Sequence, residues 1–389
     1  MPEGMPVAVA AASCHAGPMT QDRDFEIFLA TAPGQEDALC GEIRLKGFRQ
    51  PHAVPGGVVI RGGWPEVWRA NLWVRGANRI LARIDAFKVV HLAQLDHRAR
   101  LVPWAGLLRP DIPFRVEASC TGSRIYHAGA AAERIENAIR RTIGAPCSPD
   151  ADLTIRVRID HDLCTISIDS SGDLLHRRGH KQAVNRAPMR ETMASLFLLQ
   201  CGYDGNEPVF DPMCGSGTFV IEAAEMAARL NPGRSRHFAF EHLANFDETA
   251  WRKMRDVKSM RTPTSRYYGS DRDAGAITMS RANAERAGVT PWTTFQQTPI
   301  SDIRPPCDTP GLVIVNPPYG TRIGDRKALL PLYRALGRTL ATHFSGWRVG
   351  LVTTESGLAH ATGLPFLPNT APIPHGGLRV TLFQTAPLA

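Results

Sequence analysis

The sequence predicts an α/β protein whose C-terminal half is a doubly wound parallel sheet, preceded by an α+β region. After residue 173, short apolar strands alternate with helices of amphipathic spacing, which is the pattern of a parallel sheet covered on both faces. In the first 170 residues, strands and helices mix without that alternation. The length of 389 residues is too great for one small core and suggests two or three domains.

The N-terminal region contains its predicted elements in mixed order. Apolar residues recur at helical spacing in one long segment, and two later segments alternate with period two, which indicates a hairpin. We expect strands at 25–30, 54–61, 88–92, 114–118, 153–159 and 164–169. We expect helices at 34–45, 64–81 and 131–143.

The C-terminal half begins after a boundary near 171–187, with a helix at 189–201 that Gly202 ends. We expect strands at 209–211, 267–271, 293–296, 312–315, 348–353 and 378–384, and helices at 219–230, 274–287 and 327–343. In such a sheet, ligands bind at the carboxyl ends of the strands. The turns that follow these strands are therefore the places to search for a site.

Composition and charge narrow the class of protein without identifying a partner. The net charge of +8 suits a polyanionic partner and equally a slightly basic cytoplasmic protein. The 8 cysteines show no CxxC and no cysteine–histidine ligand spacing, so we expect no metal site and free thiols, which favour the cytoplasm. No apolar run reaches the roughly 18 residues that cross a bilayer.

Residues 1–23 lack a basic segment before their apolar patch, and we expect a disordered tail rather than a signal peptide.

A glycine-rich turn follows the first strand of the parallel sheet, in Asp211-Pro-Met-Cys-Gly-Ser-Gly-Thr218. It lacks the Lys-Ser/Thr ending of a P-loop, and Val220 stands where a dinucleotide-binding turn has a third small residue. S-adenosylmethionine (SAM) fits better, because Asp211 can balance its ammonium group and the helix N-terminus can receive its carboxylate. Gly215 and Gly217 would let this ligand approach the backbone. The alternative is a plain strand-to-helix connection.

Acidic residues also follow the next two strands. Asp271 ends the second strand and is expected to hydrogen-bond ribose hydroxyls, whereas Asp273 is more consistent with a helix N-cap. The alternative is that both are caps. Asp302 follows the third strand and is expected to accept a hydrogen bond from the adenine amino group.

The strand at 312–315 ends in Asn316-Pro-Pro-Tyr319. The prolines stop sheet and helix alike and hold the backbone extended. The Asn316 amide oxygen and the Pro317 carbonyl can accept both hydrogens of an exocyclic amine, which directs the nitrogen lone pair towards the methyl donor. Tyr319 can stack on a flat base, a contact worth roughly 1–3 kcal/mol. The sequence therefore predicts a catalytic amine clamp of Asn316, Pro317 and Tyr319, in which positioning does most of the work.

Taken together, five stretches resemble the RlmL-like family of THUMP-domain RNA methyltransferases. They are Ser171-Gly-Asp-Leu-Leu-His-Arg-Arg-Gly179, Ala187-Pro-Met-Arg-Glu-Thr192, Asp211-Pro-Met-Cys-Gly-Ser-Gly-Thr218 with Ile221-Glu-Ala-Ala224, Gly269-Ser-Asp271 and Asn316-Pro-Pro-Tyr-Gly320. The resemblance covers residues 24–389. It implies a ferredoxin-like segment at 24–63, a THUMP RNA-binding domain at 64–170, and a class I Rossmann-like methyltransferase domain with a seven-stranded, doubly wound sheet at 171–389.

The resemblance also implies a reaction and roles for site residues. The reaction would be SAM-dependent methylation of the guanine N2 amine in large-subunit ribosomal RNA. Asp211, Gly215 and Gly217 would hold SAM, and Asp271 would contact its ribose. The clamp would hold guanine. Pro188 and Glu191 stand where the family's helix start borders the cofactor. The chain departs from the family at the third strand, where Thr298-Pro299 replaces the acid and Asp302 comes later.

Basic residues gather in the linker between the domains, at Arg177, Arg178, His180, Lys181 and Arg186. They either contact RNA phosphates or form a solvated linker. We expect Arg177, Arg178, Lys181 and Arg186 to bind RNA. The arginines at 124, 140 and 141 are further candidates in the THUMP segment.

Three other functions remain open at this point. An N6-adenine DNA methylase would use the same amine clamp, and a transfer-RNA guanine methyltransferase would use the same chemistry on another RNA. An RNA-binding assembly factor with a vestigial SAM site belongs to a different class. The N-terminal α+β half favours RNA over DNA by resemblance alone.

Overall fold

The computed structural model describes residues 24–182, 189–257, 260–319, 326–368 and 371–389. The tail expected at 1–23 lies outside these ranges. The described residues form two sheets of seven strands, one in each half of the chain. Among the described helices, none combines the length and apolarity that crossing a bilayer requires.

The N-terminal sheet is mostly antiparallel. Its strands are β1 (Phe25–Ala30), β2 (His52–Val54), β3 (Gly57–Gly62), β4 (Arg79–Lys88), β5 (Phe114–Thr121), β6 (Leu153–Asp160) and β7 (Leu163–Asp169), in the order β2-β3-β1-β4-β7-β6-β5. Only β5 and β6 pair in parallel among these strands. The α-helices described in this half are α1 (Glu36–Leu45), α2 (Trp64–Trp73), α3 (Leu92–Leu101) and α4 (Ala128–Ile143).

Two expectations for this half were wrong. The helix expected at 64–81 ends at Trp73, because the chain then turns into β4, which pairs with β1 on one side and β7 on the other. Leu72 and Ile80, which share a helical spacing in the sequence, therefore belong to different elements. The strand expected at 88–92 is the end of β4 followed by the start of α3.

The ferredoxin-like unit is longer than expected. A βαββαβ unit needs four strands and two helices, and here it runs from β1 to β4 with the strand order β2-β3-β1-β4. The boundary expected at residue 63 therefore falls inside the unit, and the segment 64–88 contributes α2 and β4 to it. Because β4 also pairs with β7, the whole N-terminal half shares one sheet.

The C-terminal sheet confirms the predicted doubly wound architecture. Its strands are β8 (Val209–Asp211), β9 (Tyr267–Asp271), β10 (Thr293–Gln297), β11 (Leu312–Val315), β12 (Arg348–Thr353), β13 (Ile373–His375) and β14 (Leu378–Gln384), in the order β10-β9-β8-β11-β12-β14-β13. The first five strands in this order are parallel, and β14 runs antiparallel to both β12 and β13. The helices are α5 (Glu191–Gln200), α6 (Thr218–Ala227), α7 (Glu248–Asp256), α8 (Ala274–Ala287), α9 (Arg326–His343) and α10 (Ser356–His360).

The strand order positions a site. From β8 the chain builds outwards to β9 and β10 on one side, and then returns to place β11 on the other side. Connections on the two sides of such a reversal diverge and leave a crevice at the carboxyl ends of the strands. The glycine turn follows β8, and the Asn-Pro-Pro-Tyr segment follows β11.

The two halves share an apolar core. The segment 231–257, between α6 and β9, leaves the C-terminal sheet and packs against α2. Phe240 stacks on Trp68 of α2 with ring centroids 6.1 Å apart, and Trp251 of α7 meets Phe240 edge-on at 5.0 Å. Sequence periodicity did not predict α7, because Trp251 is its one fully buried residue. Burial of these rings holds the two halves together.

Candidate functional site

A cavity of about 450 Å³ lies at the carboxyl ends of β8, β9 and β11. This volume falls within the range of roughly 300–1,000 Å³ that is typical of small-molecule sites. The walls come from the glycine turn, the end of β9, the segment after β10 and the Asn-Pro-Pro-Tyr segment, with Met189, Phe219 and Leu332 completing them. The cavity thus brings together six of the predicted site residues, namely Asp211, Gly215, Asp271, Asn316, Pro317 and Tyr319. Gly217 belongs to the glycine turn but is not among the residues that line the cavity.

The glycine turn has a backbone that only glycine adopts without strain. Gly215 and Gly217 have φ angles of +53° and +83°. Two side chains of α8 hold the turn from one side: Ser280 Oγ donates to the Gly215 carbonyl at 2.8 Å, and Asn283 Nδ2 donates to the Ser216 carbonyl at 3.0 Å. The turn is therefore a fixed cradle directly ahead of α6.

Two carboxylates flank this cradle. Asp211 is 3% exposed, and its Oδ1 accepts a hydrogen bond from the Met213 amide at 3.1 Å. Asp271 Oδ2 accepts from the Gly215 amide at 3.1 Å. Burial raises the pKa of the Asp211 carboxyl well above its usual value, the Met213 hydrogen bond opposes this, and the Asp271 carboxylate raises it further. A cationic ligand group would restore the ionised form of Asp211.

Asn316 carries an unsatisfied acceptor at the cavity. Its Oδ1 is buried and has no hydrogen-bond partner among the residues that the structure describes. Such atoms are rare in folded proteins and call for an explanation. Burial raises the pKa of Tyr319, and a side-chain hydrogen bond from Asn316 opposes that shift. The segment between them is anchored, because the Tyr333 hydroxyl lies 3.2 Å from the Pro318 carbonyl, which accepts its hydrogen bond.

The third acidic residue does not belong to the cavity. Asp302 is exposed, and its Oδ1 accepts a hydrogen bond from Ser301 Oγ at 2.9 Å. Pro299 and Ile300 form the wall here instead. This corrects the expectation that Asp302 contacts adenine: the chain leaves β10 in a turn that points the acid to solvent. Asp273 is an N-cap as expected, with its Oδ1 accepting from the Gly275 amide at 2.9 Å.

Two linker residues expected to bind RNA are buried. Arg178 is 2% exposed and places Nε 3.3 Å from Glu222 Oε1. Lys181 Nζ donates to the Met189 carbonyl at 2.7 Å and lies 3.4 Å from Glu191 Oε1. These partners compensate the loss of water around both cations. The expectation of RNA contact is therefore wrong for Arg178 and Lys181 in this conformation.

The other linker residues have different surroundings. Arg177 is exposed, with Nη1 3.0 Å from Asp173 Oδ1, so it stays a candidate for RNA contact. Glu191 is 3% exposed and is not among the residues that line the cavity. Burial raises the pKa of the Glu191 carboxyl, which the Lys181 charge opposes. Pro188 and Arg186 lie outside the described residues.

The lining residues that sequence reasoning missed include Met189, Phe219, Arg272 and Leu332. Phe219 and Arg272 each directly follow a recognised element, the glycine turn and Asp271 respectively. Their position next to those elements was a signal that could have identified them. Met189 lies between Pro188 and Glu191 in the stretch 187–192, and the resemblance of that stretch to the family's cofactor-bordering helix start was the signal that could have identified it.

Replacing Gly217 with alanine is expected to weaken SAM binding and to lower the melting temperature. A left-handed backbone costs an L-residue about 1–2 kcal/mol. The added Cβ would also lie 3.1 Å from Ser280 Oγ, one of the side chains that hold the turn. Calorimetric titration of SAM and a thermal melt measure the two effects.

Gly376→Ala is the control, because Gly376 has a φ of +57° with open space around it in the hairpin between β13 and β14, so only stability should fall. Unchanged SAM affinity in Gly217→Ala would contradict the importance of this turn.

Comparison with known families agrees with this site. Residues 26–81 match the RlmL ferredoxin-like domain, and residues 178–365 match the RMKL-like methyltransferase domain. The two segments together cover more than half of the chain. The first one extends past residue 63, in agreement with the longer ferredoxin-like unit.

Three solved structures share the fold over nearly the whole chain. A possible methylase from Clostridium difficile 630 is 26% identical with a TM-score of 0.85, over 94% of this chain and 99% of that one. A predicted N6-adenine-specific DNA methylase from Listeria monocytogenes str. 4b F2365 is 27% identical with a TM-score of 0.83, over 93% and 96%. SMU.472, a candidate methyltransferase solved with S-adenosylhomocysteine (SAH), is 26% identical with a TM-score of 0.84, over 94% and 99%.

The cavity suits the cofactor that these matches imply. A buried carboxyl with a raised pKa fits an ammonium group, a helix N-terminus fits a carboxylate, and the apolar wall of Pro299 and Ile300 fits a flat base. SAH, found in one of the three related structures, is what SAM becomes after losing its methyl group. Residues 26–81 are therefore an RlmL ferredoxin-like domain, residues 178–365 are an RMKL-like methyltransferase domain, and SAM is the cofactor.

Proposed function

We propose that this protein methylates the exocyclic N2 amine of a guanosine in large-subunit ribosomal RNA. The observation that carries the proposal is the buried, unpartnered Oδ1 of Asn316 on the wall of the SAM cavity. An acceptor of this kind is costly in the ligand-free protein unless a ligand supplies its donor. An exocyclic amine supplies that donor.

The clamp is proposed to act by positioning. Asn316 Oδ1 and the Pro317 carbonyl each accept one amine hydrogen, so the nitrogen lone pair faces away from them. In the structure Asn316 Oδ1 is covered and the amide interacts with Tyr319, so we propose that the Asn316 side chain turns when the base enters. Tyr319 then lies where it can stack on the base. Holding the acceptor in a reactive position supplies much of the rate enhancement in reactions of this kind.

The cofactor is proposed to lie against the glycine turn. Bound SAM supplies an electrophilic methyl group. Asp211 receives its ammonium group, the amides at the start of α6 receive its carboxylate, and Asp271 receives the ribose hydroxyls. The turn at Gly215 and Gly217 leaves room for this contact, because a Cβ at Gly215 would meet nothing within 4 Å. Proline and isoleucine at the third strand form an apolar surface for adenine.

The N-terminal half is proposed to bind the RNA. Its match to the RlmL ferredoxin-like domain supports an RNA substrate, and we propose that the residues after β4, up to about 170, form the THUMP domain. Arg124, Arg140 and Arg141 are exposed on this half, and Arg177 is exposed at its border. Exposed arginines can contact phosphates. A ribosomal RNA substrate also places the protein in the cytoplasm.

A DNA substrate is the second candidate. The relative from Listeria monocytogenes is described as an N6-adenine-specific DNA methylase, and the clamp fits the adenine N6 amine as well as the guanine N2 amine. A transfer-RNA guanine is a third acceptor with the same chemistry. A non-catalytic assembly factor would need neither the unpartnered Asn316 nor the fixed glycine turn.

The acceptor is identified by incubating the protein with labelled SAM and, separately, unmodified total RNA and unmethylated DNA. Nucleoside mass spectrometry then names the product. We expect N2-methylguanosine in the large ribosomal RNA. N6-methyladenine in DNA, or N2-methylguanosine confined to transfer RNA, would replace the proposed acceptor with another. SAM binding without any product from either nucleic acid would favour the assembly factor.

A further inference from the structure

Charged side chains are buried where the two halves of the chain meet. We call Arg75, Arg178, Glu222, Glu225 and Arg234 the seam network. Glu222 and Glu225 of α6 are 0% exposed. Arg75, in the connection between α2 and β4, places Nη1 2.9 Å from Glu222 Oε2 and 3.1 Å from Glu225 Oε2. The N-terminal half therefore pairs directly with the helix that follows the glycine turn.

The remaining polar atoms of the seam network are also paired. Arg178 Nη2 donates to the Arg75 carbonyl at 2.8 Å, while Nε lies 3.3 Å from Glu222 Oε1. Ser195 Oγ donates to Glu222 Oε2 at 3.1 Å. Arg234 Nη2 donates to Glu225 Oε1 at 2.5 Å. Buried ion pairs add little net stability compared with apolar packing of the same volume, but their directional bonds can specify one arrangement. The seam network thus specifies one docking geometry for the two halves.

This geometry reaches the cavity through α6. Glu222 lies three residues after Phe219 and four after Thr218, and both of those residues line the cavity. One turn of an α-helix contains 3.6 residues, so Thr218, Phe219 and Glu222 lie within about one hydrogen-bonded turn of α6 and their positions are coupled. Anchoring Glu222 therefore sets the position of the first turn of α6 and of Gly217 directly ahead of it.

A second connection reaches the cavity through the linker. Arg286 Nε donates to the His180 carbonyl at 2.7 Å, and Arg286 also donates to Asn283 Oδ1. Asn283 in turn holds the Ser216 carbonyl of the glycine turn at 3.0 Å. On the same linker, Lys181 holds Met189 at the cavity wall through the bond described above. Two segments that line the cavity, the glycine turn and Met189, are thus held by bonds to the linker that also carries Arg178 of the seam network.

We propose that Arg75 and Glu222 are positioning residues for the cofactor. They transmit the placement of the N-terminal half to the glycine turn, so that the cavity has its SAM-binding shape only when the two halves are docked. The N-terminal half is then a structural component of the SAM site, in addition to its proposed role in holding RNA. This inference depends on SAM as the cofactor and not on which nucleic acid accepts the methyl group.

The test compares two buried carboxylates in the full-length chain. Glu222→Gln removes a charge of the seam network and is expected to weaken SAM binding about tenfold, as is usual for coupling between sites. Asp169→Asn is the matched control, because Asp169 on β7 is also 0% exposed and also has two arginine partners, Arg79 at 2.5 Å and Arg156 at 3.0 Å. It lies within the N-terminal sheet, so we expect a lower melting temperature and an unchanged Kd for SAM.

Hydrogen exchange of the amides at 211–218 provides a second readout. It is expected to accelerate in Glu222→Gln and to stay at the wild-type rate in Asp169→Asn. If Glu222→Gln does not fold, Arg75→Lys keeps the positive charge, loses the planar fork, and is expected to weaken SAM binding in the same direction. The inference is overturned if the two carboxylate variants change the Kd for SAM equally, or if neither Glu222→Gln nor Arg75→Lys changes it. Calorimetry with SAM alone gives this answer even if the proposed RNA acceptor is wrong.

Discussion

Replacing Asn316 with alanine is expected to lower the rate of methyl transfer on the order of a hundredfold to a thousandfold. Losses of this size follow when one hydrogen-bonding group that acts on the transition state is removed from an enzyme. The variant lacks Oδ1, so the exocyclic amine loses one of its two acceptors and its lone pair is no longer oriented. The measurement is single-turnover transfer from labelled SAM to the nucleic acid identified as the acceptor.

The same variant is expected to bind SAM normally and to melt no lower than the wild type. Among the described residues Asn316 Oδ1 is buried without a hydrogen-bond partner, and an unsatisfied buried acceptor costs about 1–3 kcal/mol. Removing it relieves that cost, which offsets the lost contact with Tyr319. Asn206→Ala is the control, because Asn206 is an exposed asparagine that does not line the cavity. Wild-type transfer by Asn316→Ala would refute the clamp, and a loss of SAM affinity would place Asn316 in the cofactor site instead.

Replacing Asp211 with asparagine is expected to weaken SAM binding by about tenfold to a hundredfold. A hydrogen bond to a charged group contributes roughly 1.5–3 kcal/mol, and each 1.4 kcal/mol corresponds to a factor of about ten in affinity. The asparagine can still accept the hydrogen bond from the Met213 amide, so the turn keeps its shape. What the variant loses is the negative charge that we propose faces the ammonium group of SAM. Calorimetric titration measures the change.

Folding stability is expected to respond to the same substitution in the opposite direction from SAM affinity, because Asp211→Asn should become more stable relative to the wild type as pH rises. Burial raises the pKa of Asp211 in the folded, ligand-free protein, whereas the unfolded carboxyl ionises near pH 3.9. As pH rises from that value through the raised folded pKa, the folded state keeps a proton that the unfolded state has released, so the wild type loses stability. The asparagine side chain of the variant has no ionisable proton over this range of pH. Its melting temperature relative to the wild type is therefore expected to increase with pH over this window.

SAM binding should show the linked effect. The cofactor's ammonium group favours the ionised form of Asp211, so wild-type affinity is expected to increase as pH rises towards the folded pKa, with release of a proton on binding. Asp211→Asn is expected to lack this dependence. Asp273→Asn is the control, because it removes a charge from the same cavity and keeps the cap of α8. Equal losses of affinity in Asp211→Asn and Asp273→Asn would mean that general charge, not a specific contact, attracts SAM.

The parallel sheet could be predicted from the sequence because its signals are local. β11 is a short apolar run that ends at a turn, β9 runs from two tyrosines to an acidic residue at a turn, and α8 has amphipathic spacing with a cap at each end. The boundaries of these three elements were predicted to the residue. The glycine turn and the Asn-Pro-Pro-Tyr segment follow such strands, so their meeting at one cavity followed from the topology of a parallel sheet.

Prediction failed where long-range contacts decide. Leu72 and Ile80 share a helical spacing, but the pairing of β4 with both β1 and β7 draws Ile80 into a strand. Asp302 follows the third strand in sequence, yet the local path of the chain gives the cavity wall to Pro299 and Ile300. The spacing of residue types carries no information on the first outcome, whereas Thr298-Pro299 in place of the family's acid was a signal for the second.

The basic linker shows which features the sequence determines and which ones require the tertiary structure. By itself the sequence determined the doubly wound fold, the glycine turn and the Asn-Pro-Pro-Tyr segment that ends β11, because periodicity, glycine conformation and proline chemistry are properties of short segments. Only the tertiary structure decided that Arg178 and Lys181 face inward. Their acidic partners, Glu222 on α6 and Glu191 on α5, are brought close by folding, and a buried cation is stable only beside such partners.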